Sequence, residues 1–151
     1  MKSIKFITKT EGETERLAKK LAILLRAGDV ITLKGDLGAG KTTFTKGLGA
    51  GLGVKRTINS PTFTIVKTYQ GELPLYHMDV YRLEGSEEDI GFDEYFYSDG
   101  ISVVEWPQFI EEFLPKERLD IVITSTNEKE REITCYPIGD HFERVCEGLA
   151  R

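Results

Sequence analysis

The chain of 151 residues is poor in features that would place it outside a reducing compartment or in a membrane. It has two cysteines, Cys135 and Cys146, too few and too unpatterned for a disulfide framework or a zinc site, so they read as ordinary thiols. Uninterrupted apolar stretches such as residues 21–25 run to only five residues, far short of the ~20 that a membrane helix needs. No basic flank, apolar centre and small-residue cleavage site opens the chain, which points to a cytoplasmic setting with no membrane contact. A basic excess is missing too: 20 Lys and Arg stand against 25 Asp and Glu, a net charge of −5. That balance argues against a free-standing nucleic-acid binder but leaves room for acting on nucleic acid through a partner. Linkers, repeats and low-complexity segments are absent, and the length suits one domain spanning 1–151.

Against this plain background one octapeptide stands out. Gly35-Asp36-Leu37-Gly38-Ala39-Gly40-Lys41-Thr42 is a complete G-x-x-x-x-G-K-[ST] phosphate-binding loop. The β-rich run Val30-Ile31-Thr32-Leu33 precedes it, and a helix is predicted from Lys41 to Ala50. Glycines let the backbone fold tightly enough for successive N–H groups to face phosphate oxygens, and the helix N-terminus adds the positive end of its dipole. Lys41 can reach the outer phosphates and the Thr42 hydroxyl can ligate Mg²⁺. The expected ligand is a nucleoside triphosphate.

The remaining pattern is that of an α/β chain. Residues 4–7 alternate as a half-buried strand, and Thr10-Glu11-Gly12-Glu13 has capping-box spacing. Leu17, Leu21, Leu24 and Leu25 form an apolar helical stripe, with Gly28 placed to end it. Gly47 and Gly49 sit inside the helix after the loop, where each costs about 1 kcal/mol unless close packing or dipole anchoring compensates. Residues 63–69 and 73–79 read as one hairpin, and residues 119–124 and 131–136 as a second. Between them come an acidic short helix over 86–95, a buried strand over 101–105 and a helix opened by Trp106-Pro107 that runs to about Phe113. A weakly helical tail covers 140–149. These elements predict a single P-loop NTPase domain, with a mixed, mostly parallel sheet, helices on both faces and β-hairpin additions.

A phosphate loop needs an acidic residue for the metal, usually at the end of a buried strand. Ile101-Ser102-Val103-Val104-Glu105 and Leu75-Tyr76-His77-Met78-Asp79 both end in a carboxylate. Glu105 has the more apolar run and is favoured as the metal partner, with Asp79 nearer the γ-phosphate. A zinc role for His77 is not expected, since the one other histidine, His141, is distant and no cysteine is near. An N-K-x-D guanine-reading element and a D-x-x-G switch are missing, which disfavours a signalling GTPase. A small nucleotide or metabolite kinase remains the alternative, although the region after Arg82 is acidic where an Arg-rich lid would be expected. A non-hydrolysing, nucleotide-gated scaffold is the third class. Arg82 is the one arginine near a site motif in the sequence.

Four motifs in order complete the pattern: the loop through Thr43, then Ser60-Pro61-Thr62-Phe63, His77-Met78-Asp79-Val80-Tyr81-Arg82, and Val104-Glu105-Trp106-Pro107. Together they resemble the TsaE (YjeE) family of small bacterial P-loop ATPases over roughly residues 10–107. The resemblance implies an ATP-hydrolysing subunit that works with TsaB and TsaD in making threonylcarbamoyladenosine, the modified base beside the anticodon in tRNAs reading codons that begin with A. It implies contact with tRNA only through the complex. Carried over residue by residue, it implies that Asp36, Leu37, Gly38, Ala39, Gly40 and Lys41 wrap the β- and γ-phosphates. Thr42 and Glu105 would handle Mg²⁺, Thr43 would support the α-phosphate and Thr10 would approach the adenine of ATP. Residues 60–63 resemble a switch segment, Asp79 falls in a second acidic motif, and Lys41, Asp79 and Glu105 carry the chemistry. An aromatic such as Trp106 directly after a strand commonly belongs to the core, while the resemblance implies a place for it at the site or on a partner surface.

Overall fold

A computed structural model describes residues 3–35, 39–58, 65–83 and 91–151, with Arg82 described by its backbone alone. Asp36, Leu37 and Gly38 of the phosphate loop, the 60–63 segment and the first part of the acidic 86–95 stretch lie outside the described residues. Among the described residues seven strands form one sheet: β1 (Ile4–Thr8), β2 (Val30–Lys34), β3 (Val66–Tyr69), β4 (Leu75–Asp79), β5 (Ile101–Glu105), β6 (Arg118–Ser125) and β7 (Arg131–Ile138). The α-helices among the described residues are α1 (Glu11–Leu24), α2 (Lys41–Gly51), α3 (Phe92–Phe96) and α4 (Asp140–Ala150). The strand order is β1-β7-β6-β2-β5-β4-β3. Pairing is parallel across β6-β2, β2-β5 and β5-β4, and antiparallel in the β3-β4 and β6-β7 hairpins and between β1 and β7. Five strands therefore share one direction, and only β3 and β7 oppose them. Among the described residues no helix is long and apolar enough to cross a membrane.

The central strands are buried on both faces, as a parallel sheet covered by helices requires. Alternation along each strand divides the core in two. Ile31, Leu33, Leu75, Ile101, Val103, Ile121 and Ile123 face α1, α2 and α4. Val30, Met78 and Val104 face the other way, in one cluster with Ile110 and with Phe92 and Phe96 of α3. Each buried side chain of this size contributes roughly 1.5–3 kcal/mol. Cys135 and Cys146 are both free and buried, and burial pushes their thiols up to about 12 and about 11.

Three elements differ in detail from the sequence reading. Helix α1 stops at Leu24, and Leu25 turns to extended backbone. Gly28, with φ +90°, does not cap the helix but makes the bend into β2, its N–H donating to the Gly100 carbonyl at 2.8 Å. The Thr10 cap is present, accepting from the Glu13 N–H at 3.1 Å, but Glu13 reaches back to the Lys9 N–H at 2.8 Å, one residue before the cap. The helix after Trp106 is a 3₁₀ helix, Pro107–Phe113, interrupted at Ile110 (φ −134°).

Close packing explains the α2 glycines. Gly47 and Gly51 lie one helical turn apart on the face toward α1. A Cβ on Gly47 would lie 2.7 Å from the Ala18 Cβ and would also strike the Glu15 carbonyl. One on Gly51 would lie 2.5 Å from the Ala22 Cβ. The close approach of α1 and α2 sets the position of the α2 N-terminus beside the phosphate loop. We expect Gly47→Ala to destabilise the protein by about 1–3 kcal/mol, because overpacking outweighs the ~1 kcal/mol gain in helix propensity. A urea titration monitored by circular dichroism measures this, with a midpoint below that of the unsubstituted chain as the expected outcome.

Candidate nucleotide site

Strand direction and side-chain alternation build the site. In the parallel β2-β5-β4 array the carboxyl ends lie at one edge, with Leu33 opposite Glu105 and Glu105 opposite Asp79. The chain leaving β2 enters the phosphate loop at that edge. Gly35 has no room for a side chain there, since a Cβ would come within 2.6 Å of the Ile123 carbonyl. Gly40, with φ +102°, then brings the chain left-handedly into α2, and no side chain caps the helix. The start of such a helix carries the positive end of its dipole, which suits an anion.

The described part of the loop lies on a cleft of about 360 Å³. Gly40, Lys41, Thr42 and Thr43 form one wall, and Asp79, Glu105 and Trp106 form another. Glu11 and Thr14 of α1, with Lys129 and Arg131 of the β6-β7 hairpin, complete it. Ala39 is buried beside a second cleft of about 340 Å³, on the far side of Lys41 and Trp106. The structure thus brings together Gly40, Lys41, Thr42, Thr43, Asp79 and Glu105. Thr10 is placed differently: it caps α1, is exposed, and does not line the cleft, whereas its neighbours Glu11 and Thr14 do.

Glu105 is the buried centre of the charge arrangement. Its Oε2 lies 2.5 Å from His77 Nε2 and its Oε1 lies 3.7 Å from Lys41 Nζ, with both partners also buried. Lys41 Nζ is also 4.3 Å from the centroid of the Trp106 ring. Trp106 is held left-handed at φ 63°, the one non-glycine positive φ among the described residues. Such a backbone costs of order 1–3 kcal/mol and persists only where its surroundings fix it. Here Tyr81 meets the indole edge-on at 5.0 Å and Phe109 stacks on it at 6.1 Å. Lys41 thus rests between a carboxylate and an aromatic face.

Asp79 is half-buried and accepts from the Tyr81 N–H at 3.1 Å. Burial pushes its carboxyl above the ordinary aspartate range, and the neighbouring Glu105 charge adds to the rise. The Tyr81 N–H and Lys41 oppose it. A carboxylate held in this way gains from any cation placed beside it.

Two contributors escaped motif reading. Arg131 approaches from the start of β7, with Nε donating to the Ala39 carbonyl at 2.9 Å and Nη1 to the Asn127 and Glu130 carbonyls at 3.1 and 3.0 Å. It fastens the hairpin turn to the phosphate loop, so the arginine beside the loop comes from about 90 residues downstream of it. Lys129 enters the cleft from the same turn. Only the hairpin pairing brings either residue here, and no local pattern marks them.

The raised Asp79 carboxyl has a consequence for stability. A folded-state pKa above the unfolded value means that the folded protein binds more protons, so stability falls as pH rises through that interval. Asp79→Asn removes this loss. The variant should gain thermal midpoint relative to the unsubstituted protein, more at pH 7 than at pH 4, in nucleotide-free samples. Paired thermal melts across that range provide the check.

Similarity to known proteins extends over the whole chain. The family described as "Threonylcarbamoyl adenosine biosynthesis protein TsaE" matches residues 8–133. The tRNA threonylcarbamoyladenosine biosynthesis protein TsaE of Bacillus subtilis (strain 168) is 56% identical over 152 residues, covering 100% of this chain and 96% of that protein. The protein of the same name from Treponema pallidum (strain Nichols) is 42% identical over 130 residues, 85% of this chain and 96% of that protein. The crystal structure of Bacillus subtilis YdiB superposes with a TM-score of 0.86 at 50% identity, over 99% of this chain and 95% of that one. With a family match over most of its length and a relative of this identity aligned from end to end, the chain belongs to the TsaE family.

Proposed function

We propose that the protein is the ATP-binding and ATP-hydrolysing subunit of the machinery that makes threonylcarbamoyladenosine in tRNA, acting in the cytoplasm with TsaB and TsaD and meeting tRNA only through that complex. The observation that carries this reading is the convergence of an uncapped α2 N-terminus, Lys41, Thr42, Asp79 and Glu105 on one cleft, in a chain of the TsaE family. The whole chain, 1–151, serves as one P-loop ATPase domain.

The donor set fits Mg²⁺. Among the described residues no three His, Cys, Asp or Glu side chains converge on a metal cage. A hydroxyl and one or two carboxylates suit a hard cation completed by phosphate oxygens and water. Thr42 and Glu105 would hold it. Once bound, the ion neutralises charge that develops on the phosphate oxygens. The loop backbone and the α2 N–H groups bind the phosphates, with Thr43 toward the α-phosphate. Lys41 moves from its place between Glu105 and Trp106 to the β- and γ-phosphates, where its charge stabilises the transferring phosphoryl group. Asp79, level with Glu105 on the neighbouring strand, accepts a hydrogen bond from the attacking water and orients it.

The two carboxylates should separate in variants. Glu105→Ala raises the Mg²⁺ concentration needed for half-maximal hydrolysis, whereas Asp79→Asn leaves ATP affinity nearly intact and lowers kcat, the signature of an interaction made mainly in the transition state. Steady-state phosphate release over a magnesium series measures both, and a magnesium dependence that follows Asp79 would exchange the two roles.

The protein alone should be a slow ATPase. P-loop hydrolysis without a full set of charge-stabilising groups runs at roughly 10⁻⁴ to 10⁻² per second, and completing the site adds about 10³–10⁵-fold. Turnover measured alone and with the TsaB–TsaD pair should show a clear rise. Fast turnover unchanged by the pair would favour an independent kinase or ATPase.

A further inference from the structure

We propose that His77 is a positioning residue for the site, fixing the orientation of the Glu105 carboxylate through its Nε2 hydrogen while Lys41 leaves for the phosphates. The proposal rests on the reading above in which Glu105 faces the metal.

Side-chain alternation sets up the contact. His77 and Asp79 lie two residues apart on β4 and so share a face. Val103 and Glu105 share the same face of β5, with His77 opposite Val103 and Asp79 opposite Glu105. His77 is therefore the diagonal neighbour of Glu105 in a parallel pair, within reach of a long side chain. The ring is 0% exposed, and its Nε2 stands 2.5 Å from Glu105 Oε2. A carboxylate only accepts, so the hydrogen resides on Nε2.

Two further observations separate this from plain core filling. Nδ1 of His77 is buried without a hydrogen-bond partner among the described residues, so the polar capacity of the ring goes to Glu105 alone. An unpartnered buried polar atom is costly, a cost that a leucine filling the same space would not carry. The second observation is the asymmetry of the Glu105 contacts. Lys41 Nζ, at 3.7 Å, is beyond hydrogen-bond distance, while His77 makes a short bond. When Lys41 turns to the phosphates, the His77 bond remains to hold one oxygen in place and leave the other facing the cleft. Outer partners that orient a ligating side chain typically change metal affinity by about 10–100-fold when removed.

The test measures metal binding apart from turnover. Protein saturated with ADP is titrated with Mn²⁺ and followed by electron paramagnetic resonance, with metal-free ADP affinity and the thermal midpoint measured on the same samples. His77→Leu should weaken Mn²⁺ binding by about 10–100-fold with ADP affinity in the absence of metal nearly unchanged. His77→Gln, which returns an N–H near the position of Nε2, should recover most of the loss. In a Glu105→Gln background, His77→Leu should have no further effect on Mn²⁺ affinity, because the group it orients is gone. Unchanged Mn²⁺ affinity in His77→Leu, no recovery in His77→Gln, or a parallel loss of metal-free ADP binding would each overturn the assignment. If His77→Leu does not fold, His77→Asn, too short to reach Glu105, replaces it in the comparison. Failure of the underlying reading has its own signature: Glu105→Gln would then leave Mn²⁺ affinity unchanged.

Discussion

A buried carboxylate must be paired, and Glu105 is where that constraint acts on this protein. Removing an isolated charge from water costs several kcal/mol even after relaxation, so Glu105 can remain at the end of a wholly buried strand only with compensating groups around it. His77 supplies a charge-assisted hydrogen bond, roughly 1.5–3 kcal/mol in other proteins, and Lys41 supplies opposite charge. Each partner comes from a different element: β4, β5 and the start of α2. Satisfying one carboxylate therefore ties the two neighbouring parallel strands to the helix that follows the phosphate loop. The arrangement is strong as a frame and also movable, since the Lys41 contact is the longer of the two.

The scaffold behind that cluster determines how closely the helix can approach. Gly47 and Gly51 let α1 and α2 touch backbone to side chain, which places the N-terminus of α2 at the carboxyl edge of the sheet. At the same edge Trp106 takes a left-handed backbone and covers Lys41 with its indole, supported by Tyr81 and Phe109. The strain at Trp106 and the half-buried, proton-favouring environment of Asp79 lie within one cleft. Free energy lost locally at such a site is offset by the large apolar core on either side of the sheet, a division of labour common in nucleotide-binding folds.

Much of this was legible from residues alone. The strand before the glycine-rich motif and the helix after it follow from local pattern, because such a motif between a β-rich run and a helix has few other uses. Both hairpins follow from period-two alternation around polar turns, and Ile101–Glu105 from an apolar run long enough for one buried strand. The end of α1 did not follow: Gly28 has the right identity for a cap, but Leu25 already leaves the helix, and the glycine serves the approach to Gly100. The Pro107–Phe113 segment was legible as helical but not as 3₁₀, and its kink falls at Ile110, which is buried in the core cluster with Val30, Met78 and Val104.

The sequence by itself determined the glycine-rich motif and the strand and helix that flank it, because such a motif needs only adjacent residues whose spacing is fixed by covalent geometry. It also determined which two carboxylates end buried strands. Tertiary structure decided their relation. Parallel pairing of β4 with β5 set Asp79 level with Glu105 and brought His77 diagonally onto it, and register between strands distant in the chain leaves no local signature. The same holds for Arg131, which reaches the Ala39 carbonyl only because β6 and β7 fold back beside β2. Residue identity fixes what each group can do, while side-chain direction and strand register fix which groups meet, and only the folded sheet sets both.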